Sequence, residues 1–148
     1  MFHNPSTMKA IFKSTVPPLL VLLFSYAAFS KLFTITAFDE QLHNQAFPGW
    51  VADFLLYFLI PAELVTALLL CFKRTLIPGL LGSTLLLLAF TAYIALVLAG
   101  YFSKTPCSCG GVLNGLGWKS HLIFNLAFTT LAITSLTIHL KQEVRDNE

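Results

Sequence analysis

The sequence predicts an all-α membrane protein in which four transmembrane helices form one bundle, with residues 1–148 as a single membrane domain. Hydrophobic residues make up 56% of the 148 residues, and charged residues make up 11%. A soluble domain carries about 25% charged residues, so the composition itself indicates a membrane protein. The length leaves room for about four spans of roughly 20 residues with short connections.

Four long apolar segments are the candidate spans, and each has few charges. No segment alternates between polar and apolar residues with a period of two, which disfavours a β-barrel. Pro17 and Pro18 are expected in the first turn of the first helix, where a missing N–H is harmless. The four predicted helices cover about residues 16–34, 54–72, 78–102 and 121–140.

The connections between these segments are predicted from their polar and glycine content. Residues 35–53 are expected to form a long loop, residues 73–77 a tight turn, and residues 103–120 a glycine-rich loop. Trp50 and Trp118 are suited to the headgroup level of the membrane, where an indole ring is half hydrated.

The distribution of basic residues predicts the orientation of the bundle in the bacterial cytoplasmic (inner) membrane. Cytoplasmic connections carry an excess of lysine and arginine. With both termini in the cytoplasm, the inner side holds Lys9, Lys13, Lys73, Arg74, Lys141 and Arg145, and the outer side holds Lys31, Lys104 and Lys119. The loops 35–53 and 103–120 are then expected on the outer side.

The first apolar segment also has an alternative interpretation as a signal peptide. It follows a basic start and ends near the small-residue sequence Ala28-Phe29-Ser30, which resembles a cleavage site. Cleavage there leaves three helices with the same orientation. The length of the apolar run and the closely following Lys31 favour a retained helix.

The charge balance argues against a nucleic-acid partner. The formal net charge is +2 at pH 7, and no lysine- or arginine-rich run occurs in the sequence. A protein that binds DNA or RNA presents a basic patch or stripe. The surrounding lipid bilayer is the partner that the composition predicts.

Two cysteines, Cys107 and Cys109, stand one residue apart in the segment TPCSCGG, residues 105–111. On the outer side disulfides persist, and a disulfide across one intervening residue is strained and easily exchanged. A stabilising cross-link gains its effect from a long loop, which is absent here. The pair therefore favours redox chemistry; capture of a soft ion such as Cu(I), with His121 as a further ligand, and the absence of any chemical role are the alternatives.

The third cysteine, Cys71, is predicted at the opposite end of the second helix. A free cysteine packs like a small apolar residue. We interpret Cys71 as chemically inert.

Lys31 and Glu63 are the charged residues well inside the predicted spans, and an ionisable residue there is a candidate functional residue because its burial is costly. Glu63 is expected roughly 13 Å deep, near the midplane. It must be paired, protonated or in contact with a wet cavity. Lys31 can extend to the headgroups or turn inward and pair with Glu63.

One face of the last helix carries three polar residues, His121, Asn125 and Thr129, at spacings of four. The face begins next to the loop that carries the cysteines. These residues either contribute to a site or hold helices together by hydrogen bonds. For Thr84 and Thr91 on the third helix, we favour the second of these two roles.

The sequence resembles the MauE/DoxX group of membrane proteins. The matching stretches are FSYAAFSKLF at residues 24–33, IPAELVTALLL at 60–70, and PCSCGG at 106–111, followed by Gly117-Trp118 and a last apolar helix. The resemblance covers about residues 20–140. It implies a DoxX-like four-helix bundle in the cytoplasmic membrane, with a supporting role in maturing or reducing disulfides of exported proteins. A thioredoxin-like or disulfide-containing periplasmic protein is the implied partner.

The resulting hypothesis is thiol–disulfide exchange at the outer face of the membrane. Cys107 and Cys109 are the attacking and resolving thiols, in an order that the sequence leaves open, and Lys31, Glu63 and His121 tune proton transfer. The pair is C-x-C rather than C-x-x-C, so whether electrons pass to a quinone is also left open. The alternatives are a non-enzymatic assembly factor with the cysteines as a latch, and a small transporter or copper-handling protein.

Overall fold

The computed structural model describes residues 5–45, 48–101 and 117–146 of the chain. All the regular structure in these ranges is helical, and they contain no β-strand. The elements in chain order are α1 Pro5–Phe33, α2 Ile35–His43, α3 Gly49–Cys71, a 3₁₀-helix Lys73–Thr75, α4 Leu76–Leu98 and α5 Trp118–Asp146.

Within the described ranges, four segments are long and apolar enough to cross a membrane. They lie in α1, in α3, in the 3₁₀-helix with α4, and in α5. The prediction of an all-α protein with four membrane-spanning helices is confirmed.

The predicted start of the first helix is wrong. Residue 16 was expected near its beginning, but α1 begins at Pro5, so Pro17 and Pro18 lie inside the helix. A proline inside a helix removes one hydrogen bond to the carbonyl four residues earlier. Transmembrane helices tolerate this loss because side chains and neighbouring helices satisfy the freed groups.

The predicted loop over residues 35–53 is also wrong, because it contains the short helix α2 and the first turn of α3. Phe38 and Leu42 are four residues apart and both are 3% exposed. They therefore lie on one face of α2 and bury it against α1 and α3, together with Ala28, Ala52 and Leu59. Polar residues on the other face had suggested a loop, whereas the spacing of the two apolar residues is that of an amphipathic helix.

The four long helices pack as a closed ring in which each contacts two neighbours. The most extensive interfaces are α1 with α3 and α4 with α5, and α3–α4 and α1–α5 complete the ring. Lys13, Lys73 and Gln142 meet at one end of the bundle, which we name the terminal end. Leu42, Tyr93 and Trp118 meet at the opposite end, which we name the loop end.

Small residues bring α3 and α4 close together in the terminal half of the bundle. A Cβ atom added to Gly79 lies 2.9 Å from the backbone nitrogen of Leu70, and one added to Gly82 lies 3.2 Å from Thr66 Oγ1. Interfaces between transmembrane helices are enriched in small residues because these allow such close approach.

The outward faces of the helices are apolar. On α3, Phe54, Tyr57 and Phe58 are exposed, and the rings of Phe54 and Phe58 stack with centroids 5.1 Å apart. Large exposed apolar side chains are ordinary on a surface that faces lipid. Thr130 on α5 is an exposed polar exception, and its hydroxyl donates to the carbonyl of Leu126 in its own helix.

Candidate functional site

A cavity of about 380 Å³ lies inside the loop half of the bundle, between α1, α2, α3, α4 and α5. Its walls are largely apolar and rich in aromatic rings, including Phe24, Phe58, Phe90 and Phe124. Its polar lining residues are Lys31, Glu63, Tyr93, Trp118, His121 and Asn125. A largely apolar cavity with a few converging polar groups is the usual form of a small-molecule site.

A buried ion pair between Lys31 and Glu63 lies in the wall of this cavity. Lys31 Nζ donates to both carboxylate oxygens of Glu63, at 2.8 and 3.1 Å, and to the carbonyl of Ala27 at 3.3 Å. The side chains are 8% and 1% exposed. Of the two alternatives for Lys31, the structure therefore has the inward one, in which Lys31 pairs with Glu63.

The depth of this pair follows from where the helices begin. Glu63 lies roughly 21 Å along α3 from Gly49 and roughly 12 Å from Cys71, at ~1.5 Å per residue. It lies farther from the loop end of α3 than the predicted 13 Å, because α3 begins at Gly49 rather than near Phe54. Lys31 lies near the end of α1, which is Phe33, and the chain continues toward the loop end as α2. Lys31 therefore lies at the same level along the bundle as Glu63.

The aromatic ring of Phe38 also contacts the ion pair. Lys31 Nζ lies 5.8 Å from the centroid of this ring. A cation over an aromatic face is attracted by the ring quadrupole. Phe38 comes from α2, so this short helix completes the surroundings of the buried ammonium.

The polar face of α5 points into the bundle, as its spacing predicted. His121 and Asn125 line the cavity, and the Oγ1 atom of the buried Thr129 lies 3.3 Å from Oγ1 of Thr91 on α4. His121 Nδ1 is buried and has no hydrogen-bond partner among the described residues. A buried polar atom without a partner is costly, so His121 is the group in this cavity that a ligand could satisfy.

His43, an exposed residue of α2, links this helix to α3. Its Nδ1 lies 3.0 Å from the carboxylate of Asp39, and its Nε2 lies 3.3 Å from that of Asp53 on α3. The hydrogen bond of Nδ1 with the carbonyl of Asp39 and the two neighbouring carboxylates raise the pKa of His43 above 6.5. A protonated His43 thus links α2, which forms part of the cavity wall, to α3.

Cys107 and Cys109 lie outside the described residues. The segment that carries them leaves α4 after Tyr101 and enters α5 at Gly117 and Trp118, and Trp118 lines the cavity. Both cysteines are therefore attached to the loop end of the bundle. Cys71 lies at the terminal end of α3, where its thiol donates to the carbonyl of Ala67 at 3.3 Å.

The sequence leaves Cu(I) capture at Cys107 and Cys109 as an alternative, but no residue is assigned to a metal site and none is expected. Within residues 5–45, 48–101 and 117–146, no three His, Cys, Asp or Glu side chains are grouped so that they could hold a metal ion. Cys107 and Cys109 fall outside these ranges, so the absence of a metal site in the whole chain stays a prediction.

Several cavity residues were not predicted from the sequence. Phe38 was assigned to a loop, and Trp118 to the headgroup level. Tyr93 was not identified, although its hydroxyl donates to Gln45 Oε1 across the loop end. The spacing of Phe38 and Leu42 was the signal for α2, whereas a single tyrosine in an apolar helix gives no such signal.

Comparison with known proteins gives one match. The family model described as methylamine utilisation protein MauE matches residues 9–138. No curated protein and no solved structure shows a significant match to this chain. The match includes the whole cavity, the ion pair and the segment with the two cysteines.

Proposed function

Because the chain belongs to the MauE family, we propose that it acts in the bacterial cytoplasmic membrane and supports thiol–disulfide exchange in exported proteins. The observation that carries this proposal is the largely apolar cavity, with the Lys31–Glu63 pair in its wall, at the end of the bundle to which Cys107 and Cys109 are attached. The DoxX relationship and the redox role are parts of this proposal.

The proposal assigns the loop end to the outer side of the membrane and both termini to the cytoplasm. Lys31 had counted among the basic residues of the outer side, but it is buried in an ion pair. Without it, the outer side retains Lys104 and Lys119 against six basic residues at the terminal end. The positive-inside rule therefore supports this orientation more strongly than the sequence alone did.

The exchange begins with the oxidised pair. A thiolate of a reduced periplasmic partner attacks one sulfur of the Cys107–Cys109 disulfide, that bond breaks, and a mixed disulfide forms. The second thiol of the partner then releases the pair as a dithiol. Two electrons and two protons pass from the partner dithiol to Cys107 and Cys109, and the partner is left with a disulfide.

Reoxidation of the pair requires an acceptor of two electrons and two protons, which is the chemistry that a bound quinone supplies. The cavity fits such a group in three respects: its size, its aromatic walls and the buried His121 Nδ1 that has no partner among the described residues. His121 is the side chain that would hold a ring oxygen, by donating from Nδ1, because the three donors of Lys31 are taken by the two Glu63 oxygens and the Ala27 carbonyl. Glu63 balances the charge of Lys31, which allows an ammonium to remain at this depth.

Trapping of a partner tests the exchange. Because the exchange is reversible, we expect the thiol that remains in Cys107→Ser or Cys109→Ser to attack the disulfide of the oxidised periplasmic partner and to stay in a mixed disulfide, since the second cysteine that would resolve it is absent. The mixed disulfide is seen as a band of higher mass that a reductant removes. Cys71→Ser is the matched control, since Cys71 lies at the other end of the bundle and should leave the cycling of the pair unchanged. Differential alkylation in intact membranes should show Cys107 and Cys109 changing their redox state together.

Three results would overturn the proposal. Thiols that become reactive after a chelator is added indicate copper handling instead. One stable oxidation state with no trapped partner indicates a latch in an assembly factor. Labelling of the pair from the cytoplasmic side would place the cysteines in a reducing compartment, where the proposed exchange has no exported partner.

A further inference from the structure

A second cavity, of about 230 Å³, lies at the terminal end between α1, the start of α4 and α5. It is far from the loop-end cavity, and the proposed thiol chemistry does not use it. Its lining combines an apolar wall with charged and polar side chains: Lys13, Lys73, Leu76, Ile77, His139, Gln142 and Glu143.

Two ammonium groups from different elements meet at this terminal cavity. Lys13 comes from α1, and its Nζ donates to Gln142 Oε1 on α5, which fixes the direction of the side chain. Lys73 comes from the 3₁₀-helix. An ammonium has three donors, so Lys13 keeps donors for a ligand after its bond to Gln142.

His139 adds a third nitrogen to the terminal cavity. It is 7% exposed, and its Nδ1 lies 2.8 Å from the carbonyl oxygen of Ser135. That bond requires the proton on Nδ1, so Nε2 of the neutral ring is an acceptor and the donors to a phosphate come from the two lysines. Glu143 is the acidic member of the lining, so the two lysines leave an excess of one positive charge with His139 neutral.

The terminal cavity lies at the level where the spans end. Lys73 follows directly after α3, and Lys13 is roughly 27 Å along α1 from Lys31, at ~1.5 Å per residue. Other basic residues surround this end: Lys9, Arg74, Lys141 and Arg145. A basic pocket between transmembrane helices at this level is suited to the phosphate of an anionic lipid.

We propose that the terminal cavity binds the headgroup phosphate of one anionic phospholipid. Lys13 and Lys73 contact the phosphate oxygens, and Leu76 and Ile77 pack against the glycerol and the first part of the acyl chains. Glu143 limits the affinity. This inference is independent of the proposed redox function.

Native mass spectrometry of the full chain in detergent, titrated with phosphatidylglycerol, tests this proposal. We expect a lipid-bound species for the unmodified protein, and about 30-fold weaker binding for Lys13→Gln/Lys73→Gln, because two hydrogen bonds to the phosphate are lost and each contributes ~1 kcal/mol. Lys9→Gln/Arg74→Gln is the matched control: it removes the same charge at the same end but leaves the lining intact. Glu143→Gln should strengthen binding by about fivefold.

The alternative outcomes separate the ligand sources. Equal losses in the two double variants would show diffuse surface attraction and overturn the site. Equal retention of zwitterionic phosphatidylcholine would overturn the requirement for an anionic headgroup. Binding of inorganic phosphate to the protein, without retention of phosphatidylglycerol, would identify a free anion as the ligand. Lys13→Arg/Lys73→Arg keeps both charges and should retain the lipid, which distinguishes loss of binding from loss of fold.

Discussion

The two halves of the bundle are packed in opposite ways. In the terminal half, α3 and α4 approach so closely that a Cβ atom on Gly79 would lie 2.9 Å from the backbone of Leu70, and Leu20 and Leu80 are fully buried. In the loop half, the same helices diverge around a cavity of about 380 Å³. The difference indicates that the close-packed half fixes the helices, so that the other half can keep an open interior with charged groups.

Polar side chains also differ between the halves. In the terminal half, Ser83 and Thr84 donate back to carbonyls of their own helix, both at 2.8 Å. In the loop half, polar side chains link separate elements, as in Lys31–Glu63 between α1 and α3 and in Thr91–Thr129 between α4 and α5. The terminal half also has a polar link between helices, the bond of Lys13 to Gln142 at its end, but its interior depends more on shape, whereas the interior of the loop half depends on specific polar pairs.

The largest effect is expected from Glu63→Gln, which leaves the ammonium of Lys31 buried without a counter-charge. Breaking a buried pair by removing one partner costs about 3–5 kcal/mol. The free energy of unfolding, measured by denaturant titration in detergent, should fall by this amount. In the double variant Lys31→Gln/Glu63→Gln most of the loss should be recovered, because no charge remains to be buried.

Glu40→Gln is the matched control for that change, since Glu40 is an exposed carboxylate. Surface substitutions usually stay within about 0.5 kcal/mol. If the double variant were no more stable than Glu63→Gln, the uncompensated charge of Lys31 would not be the source of the loss. The loop half would then depend on shape, as the terminal half does.

A smaller effect is expected from Gly79→Ala, which inserts a methyl group where α3 and α4 meet. Because the contacted atom is backbone, the helices must move apart, and overpacking of this kind costs about 1–3 kcal/mol. The same unfolding titration measures it. Gly117→Ala is the control, since a Cβ atom there meets nothing within 4 Å; equal stability of the two variants would show that the terminal half is not held by close packing.

The smallest effect concerns the exposed His43, whose pKa is raised by its hydrogen bond to Asp39 and by the carboxylates of Asp39 and Asp53. A histidine whose pKa is raised in the folded state contributes its full stabilisation at pH values below its unfolded pKa of about 6.5. It loses this contribution as the pH rises through its folded pKa. The attachment of α2 to α3 should therefore weaken above pH ~6.5.

An NMR titration of the His43 ring measures this shift directly. The pKa should exceed 6.5 in the unmodified protein and move toward 6.5 in Asp53→Asn, which keeps Asp39. A pKa at or below 6.5 in the unmodified protein would show that α2 is not held through a charged His43. Hydrogen exchange of the α2 amides against pH reports the same attachment.

The membrane class and the four spans could be predicted from the sequence, because span length and lack of charge are local properties. The pairing of Lys31 with Glu63 was one of two alternatives, since the choice depends on how far each helix extends. Glu63 was the clearest candidate functional residue in the sequence, because a carboxylate at that depth needs a partner or a cavity. The structure supplies both.

The rest of the site could not be predicted because it depends on distant parts of the chain. Helix α2 was missed because Asp39, Glu40 and Asp53 led us to interpret residues 35–53 as a polar loop. Tyr93 meets Gln45 only after α4 returns to the loop end. Such a contact leaves no periodic pattern in either segment. The cavity itself is a space between helices, and no stretch of residues encodes it locally.

The Lys31–Glu63 pair has a consequence for biogenesis. The two residues are 32 positions apart in the chain, so at ~5–20 residues per second the ribosome needs about two to six seconds to add the carboxylate after the lysine. During that interval the first helix carries an uncompensated cation near its end. The buried pair can therefore form only after α3 has been synthesised, so the packing of α1 in this part of the bundle is completed after translation of Glu63.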